Sequence, residues 1–258
     1  MKHLYFLQTF CYMLLCAVGF TACSSDADDV IAENGIGYVS LALNADTGFG
    51  KATKAVDESV YGNVENYTVE IWKDGKLIQG KSWLYPDVPE FIELTSGGYE
   101  LKAYYGEDKP ASTTGMYVEG KKTFNVNANQ TTVSLTCQPV CAKVKVEFDP
   151  TMAEYFSDYS ITFQTKALED LSFVWKKDDK DPVYLKVENN ETITTTYNLV
   201  KKDGKTTPLS KTYNLSPKKF LTIKVKPVTS NGNLGITIEV DDTTNDRPID
   251  IEIPSNWK

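Results

Sequence analysis

The 258 residues contain a single histidine, His3, and five cysteines, Cys11, Cys16, Cys23, Cys137 and Cys141. Imidazole is the usual base of nucleophilic catalysis and the commonest nitrogen ligand of transition metals. His3 sits in a leader that the mature protein is expected to lose. Ser-His-Asp and Cys-His catalysis and every His-ligated metal site are then excluded together. Cys137 and Cys141, four residues apart in an extended chain, would lie roughly 13 Å apart, beyond disulfide reach. Only a tight turn at Gln138 and Pro139 would join them, so two buried or half-buried thiols are expected. A glycosidase needs only two carboxylates, but among 35 acidic residues no pair stands out. Asp178-Asp179-Lys180-Asp181 has calcium-like spacing without the glycine and distant glutamate of an EF-hand loop, and reads as a solvated turn. No catalytic set, metal site or cofactor is expected. What remains is aromatic: 15 tyrosines and four tryptophans offer faces on which sugar rings stack. Trp72 and Tyr104 fall on the polar side of their strands, with Trp83 and Tyr85 nearby, and these four are the candidate stacking residues. The competing reading is ordinary packing against the other sheet or a loop.

Over the whole chain, 27 basic residues against 35 acidic ones give a net charge of −8. That balance argues against a nucleic-acid partner, which would require a basic footprint. Lys2 precedes an almost unbroken apolar run from Leu4 to Phe20, which ends in Phe20-Thr21-Ala22-Cys23. This arrangement resembles a bacterial lipoprotein signal peptide, cleaved before a cysteine that then carries lipid, with Phe20 where leucine is commoner. Residues 1–22 would be the signal peptide and Cys23 the lipidated residue. A membrane-spanning helix is the other reading; against it, no charged stop-transfer flank follows, only the acidic run Asp26-Ala27-Asp28-Asp29. Residues 23–35 are polar and acidic and read as a solvated linker.

From Tyr38 onward the chain alternates with period two. Tyr67, Val69 and Ile71 face one way, Thr68, Glu70 and Trp72 the other. Asp74-Gly75 predicts a tight hairpin turn. Tyr99/Leu101/Ala103/Tyr105, Phe124/Val126 and Val133/Leu135 continue the pattern. Ala142/Val144/Val146/Phe148, Tyr159/Ile161/Phe163, Leu171/Phe173/Trp175, Leu221/Ile223/Val225, Ile236/Ile238/Val240 and Ile249/Ile251/Ile253 carry it to the end. The only helix expected is one or two turns after Asp149-Pro150. Short alternating strands between turns predict an all-β chain of two consecutive antiparallel β-sandwiches of Greek-key type. Apolar residues occupy odd positions up to Leu135 and even ones from Ala142, so a bend is expected near Gln138-Pro139. It would divide an N-terminal sandwich, residues 36–137, from a C-terminal one, residues 138–258. Lys73-Asp74-Gly75-Lys76 and Lys202-Asp203-Gly204-Lys205 read as matching hairpin turns.

The segment from Leu94 through Ser96-Gly97-Gly98-Tyr99 to Gly106 resembles the turn and strand of Bacteroides fimbrillin-like sandwiches. Gly115 to Gly120, Phe124-Asn125-Val126, Thr132 to Cys137 and Ala142 to Val146 follow in the order of a surface-lipoprotein family of unknown function from those bacteria. Ile236 to Asp242 and Ile251 to Pro254 are similar to its closing strands. The resemblance implies two β-sandwiches, no enzymatic activity, and a link to pili or adhesion. The acidic tract after Cys23 is similar to the export signal that sends such lipoproteins to the outer face of the outer membrane. Fimbrillin-type pilins are trimmed by an arginine-specific protease after the first strand. Here the matching loop, Gly48 to Glu58, holds Lys51 and Lys54 but no arginine, the sole one being Arg247. The expectation is therefore a lipid-retained anchor or accessory subunit with pilin partners, its last strand, Ile249 to Ile253, watched as a donor. The alternative is a glycan-binding outer-membrane lipoprotein of a polysaccharide-uptake system. Asp242-Thr243-Thr244 fits the short O-glycosylation sequon of these bacteria, with Thr243 as acceptor.

Overall fold

The computed structural model describes residues 35–49, 56–230, 232–242, 245–246 and 250–252. The first half supplies β1 (Ile36–Ala45), β2 (Thr68–Lys73), β3 (Lys76–Leu84), β4 (Ile92–Thr95), β5 (Gly97–Tyr105), β6 (Ala111–Ser112), β7 (Val118–Val126) and β8 (Gln130–Pro139). All but β6 join one folded-over sheet in the order β3-β2-β5-β7-β8-β1-β4. The fold-over is built into the β7–β8 hairpin. β8 first runs parallel to β1, from Tyr38↔Gln130 to Ala45↔Cys137, and pairs with β7 only at its last two residues, Glu119↔Gln138 and Val118↔Pro139. Two layers thus face each other across a core of Val39, Tyr67, Val69, Ile71, Ile92, Leu101 and Val118. Tyr67, Val69 and Ile71 point inward as their spacing predicts.

The second half supplies β9 (Cys141–Phe148), α1 (Met152–Tyr155), β10 (Phe156–Gln164), β11 (Phe173–Lys176), β12 (Val183–Lys186), β13 (Glu191–Lys201), β14 (Thr206–Leu215), β15 (Phe220–Ser230), β16 (Asn233–Asp242), β17 (Asn245–Asp246) and β18 (Asp250–Glu252). One sheet runs β11-β10-β13-β14, and the facing one runs β17-β16-β15-β9-β12-β6, with β18 also on β16. Trp175, Ile161, Phe163, Tyr197, Val144, Ile223 and Ile238 fill the space between them. The architecture is all-β, as the alternation predicts, and almost wholly antiparallel. The exceptions are β1 with β8 and β15 with β9, both parallel. Alternation assigns faces, not partners, so it carries no signal for these pairings.

Val140 alone separates β8 from β9. Cys137 and Cys141 belong to the first core, whereas Ala142, Val144 and Val146 belong to the second. The sheet containing β9 therefore serves both. Ala142, Val183, Leu185, Leu221 and Ile223 point into the second core, while Tyr184 and Phe220 join the first. β6, a two-residue piece of the first half, adds to β12 through Tyr184↔Ser112 and Leu185↔Ala111.

The two Asp-Gly turns differ. Asp74 and Gly75 both have positive φ, 50° and 72°, as a two-residue hairpin turn requires. At the second turn Gly204 alone is left-handed, with φ 83°, and the loop closes through Gly204 N–H to the Lys201 carbonyl. The short helix forms two residues after Pro150. Its N-cap is Thr151, not Asp149, and carries no side-chain cap bond; Asp149 braces the preceding turn, its Oδ1 accepting from the Thr151 N–H at 3.0 Å and its carbonyl from the Met152 N–H. Leu171 departs from the expected pattern: it precedes β11 and is 68% exposed. Asp178 to Asp181 follow β11 as a turn in which Asp179 accepts from the Lys176 N–H at 2.8 Å.

Candidate functional site

The outer face of β2, β5 and β7 carries the richest exposed chemistry. Glu70, on β2, lies between two aromatic residues of the same face and is almost fully buried by them. Its Oε2 accepts from the Trp72 indole Nε1–H at 2.9 Å, and its Oε1 accepts from the Tyr104 hydroxyl at 3.0 Å. One carboxylate thereby fixes both rings. Tyr104 is occupied on one side by the Lys102 ammonium, 5.0 Å from the ring centre, and neighbours Tyr117 at 6.0 Å. Burial and the neighbouring Glu70 raise the Tyr104 hydroxyl above its ordinary pKa. Lys102 and Lys121 both pair with Glu119, at 3.2 and 3.1 Å.

Of the four candidate stacking residues, Trp72 and Tyr104 share this face, and Trp72 borders an open cleft of about 350 Å³ at the β2–β3 turn. Trp83 and Tyr85 do not join them. Both pack against the first core, because Trp83 stands opposite the inward-facing Val69. The Tyr85 hydroxyl accepts from the Leu43 N–H at 3.1 Å. Sequence parity placed Trp72 and Tyr104 correctly. It carried no signal for Glu70 as their common acceptor.

A second constellation has no local signature in the sequence, because its members lie far apart along the chain. Lys143 has no solvent exposure, and its Nζ sits 2.5 Å from Glu58 Oε1. Tyr184 donates its hydroxyl to the same oxygen at 2.5 Å. Tyr184 and Phe220 flank Lys143 on the neighbouring strands β12 and β15, and Phe49 completes a cage of three rings 5.1–6.0 Å from the ammonium. Glu58 and Phe49 come from the segment between β1 and β2, so this node joins the first half to the sheet that serves both cores. Further links repeat the theme. Lys218 pairs with Asp46 at 2.5 Å and Lys186 with Asp108 at 2.6 Å. The Lys218 hydrogen bond holds the Asp46 carboxyl below the usual carboxylate range.

Cys137 and Cys141 are free and buried, and burial pushes both thiols up to about 12. At neutral pH they are protonated and inert as nucleophiles. β18 pairs antiparallel with β16 through Ile236↔Glu252, Thr237↔Ile251 and Ile238↔Asp250. Cys23, Lys51, Lys54, Thr243, Arg247, Ile249 and Ile253 lie outside the described residues. Among the described residues no helix is long and apolar enough to cross a membrane.

A search among curated proteins finds no relative of significant similarity. Among solved structures, the chain is similar to the fimbrial anchor protein Mfa2 from Porphyromonas gingivalis, at 11% identity and TM-score 0.44, over 81% of this chain and 97% of that one. It is also similar to a fimbrial assembly protein from Parabacteroides distasonis ATCC 8503, at 13% identity and TM-score 0.39, over 85% and 99%. Scores at this level give neither likeness weight for function. The family model is decisive for kinship: it matches residues 35–255, nearly all of the β-rich chain, and the protein belongs to the family described as domain of unknown function DUF4493.

Proposed function

We propose that the protein is a non-enzymatic surface lipoprotein, anchored through Cys23, that serves as an anchor or accessory subunit of a fimbrial assembly. The observation that carries this reading is the way the two halves are joined. Lys143 is sealed at the junction by Glu58 and the rings of Phe49, Tyr184 and Phe220, β6 crosses to the second half's sheet, and further ion pairs link the halves. A subunit that transmits tension between a membrane and a filament needs such a stiff junction; a tethered binder does not. Two domains, residues 36–137 and 138–258, sharing one sheet at their boundary, are the organisation this reading adopts. The resemblance to fimbrillin-like lipoproteins supports it from the sequence side. The absence of arginine between Gly48 and Glu58 favours a subunit retained untrimmed at the membrane over a polymerised stalk subunit. Partners would add by strand pairing at a sheet edge, and β18, three residues paired only with Ile236 to Ile238 of β16, is the segment to exchange.

Chemical cross-linking of intact native cells, read by mass spectrometry, tests the proposal. Cross-links from this chain to filament subunits are the expected result. Cross-links confined to an outer-membrane transporter would instead make it a component of polysaccharide uptake.

A further inference from the structure

The cleft beside Trp72 has the composition of a sugar site, and the way it stays open is instructive. Trp72, Glu100 and Thr123 stand directly opposite one another on β2, β5 and β7. On the adjoining rung Gly98 faces Asn125, and Asp74 closes the end. Gly97 has φ 144° and needs glycine for its turn. Gly98 has no such need, since a Cβ there would meet only the Asn125 side-chain oxygen at 3.5 Å, an ordinary contact. The backbone would accept a side chain at 98, and that side chain would fill the cleft. Glycine leaves the hollow open.

The wall of the hollow is pre-set, because the Trp72 indole is held by its Nε1–H to Glu70. Among the described residues no lysine covers its face, whereas Lys102 lies over Tyr104. Asp74, Glu100, Thr123 and Asn125 form no side-chain hydrogen bond among the described residues, so their oxygens and amide are free for a ligand. A rigid aromatic plane beside carboxylates, a hydroxyl and an amide matches a pyranose, which offers an apolar face of C–H groups and a rim of hydroxyls. The volume, about 350 Å³, lies at the small end of ligand sites and suits the end of a glycan, not its interior. Two carboxylates at the mouth disfavour sialic and uronic acids by like charge.

We propose that this cleft binds the terminal sugar of a neutral glycan, stacked on Trp72 and hydrogen-bonded through Asp74, Glu100 and Asn125. The proposal rests on the surface location proposed above and gives that surface subunit a ligand.

The test uses the full chain, purified in detergent, on an array of neutral, amino-sugar and sialylated glycans, followed by titration with methyl glycosides of the best neutral hit. Binding to neutral glycans is expected, with Trp72→Ala and Gly98→Leu each weakening it by about tenfold or more. Gly98→Leu leaves Trp72 and every polar group in place, and circular dichroism checks that it folds. Unchanged affinity in a folded Gly98→Leu variant would overturn the proposal, as would preference for sialylated glycans or no binding to any neutral glycan. The array needs neither filament nor cell, so it can fail while cross-linking to filament subunits succeeds. The reverse is equally possible, so the two failures are distinguishable.

Discussion

Replacing Glu58 by alanine removes the only anion among the described residues that faces the Lys143 ammonium within hydrogen-bonding distance, while leaving the charge in the protein. The Lys143 side chain has no exposure, whereas Glu58 retains 18%, so the two partners are not equivalent. Without Glu58 the ammonium keeps only the three aromatic rings around it. Their attraction, about 0.5–2 kcal/mol, does not replace lost hydration and a lost ion partner. The cost of orphaning a buried charge in this way is about 3–5 kcal/mol. Lys143→Met is the milder change. The thioether fills the space of the lysine stem, and Glu58 keeps both its access to water and the Tyr184 hydroxyl, giving a loss of about 1–2 kcal/mol. Tyr184→Phe deletes one hydrogen bond to a charged acceptor, worth about 1.5–3 kcal/mol. The double variant Glu58→Leu/Lys143→Met removes both charges and should recover most of the Glu58→Ala loss. Equilibrium urea unfolding followed by tryptophan fluorescence measures all four. A folded Glu58→Ala within about 1 kcal/mol of the parent protein, or less destabilised than Lys143→Met, would refute the reasoning that this ammonium depends on Glu58.

Other consequences are as direct. Cys137 and Cys141 should resist thiol reagents in the folded protein and react on unfolding, which a colorimetric thiol assay with and without urea detects. Because burial raises both thiols to about 12, their contribution to stability is fully present below the ordinary thiol range. It is lost as pH rises from there to about 12, so alkaline unfolding scans should show it. Asp46 works in the opposite direction. Its folded carboxyl is held low by Lys218, so that contribution is present at neutral pH and fades as the solution is acidified through the folded value; in Asp46→Asn the acid dependence should be shallower. Gly106→Ala should be costly, about 3 kcal/mol. Residue 106 has φ 93°, and a Cβ would fall 2.1 Å from the Met116 carbonyl oxygen. Gly98→Ala, free of both constraints, should change the thermal midpoint little.

Period-two alternation was enough to name the all-β class and to orient most strands, because one face of each is buried in a core. It failed wherever a face is covered by something distant. Lys143 sits between Ala142 and Val144, and alternation alone turns it towards solvent. Its neighbour across space, Glu58, lies 85 positions away, and nothing local in the sequence announces that contact. In β13 the inward face includes Glu191 and Thr195, both buried, which dilutes the apolar signal of that strand. Glu191 earns its place by accepting the Lys166 and Glu188 N–H groups, each at 2.7 Å. Nearness in sequence places Trp83 and Tyr85 beside Trp72, but β3 carries an irregularity around Gly80, with φ 73°, and both rings turn to the core. The cleft itself was illegible for a different reason: it is defined by a side chain that Gly98 lacks and by rungs across three strands.

Immunogold labelling of intact native cells, with antibody against residues 36–258, addresses the fimbrial reading most directly. That reading predicts gold aligned along filaments or gathered at their ends, where an anchor or accessory subunit would sit. Gold scattered over the membrane with no relation to filaments, or no surface gold at all, would contradict it.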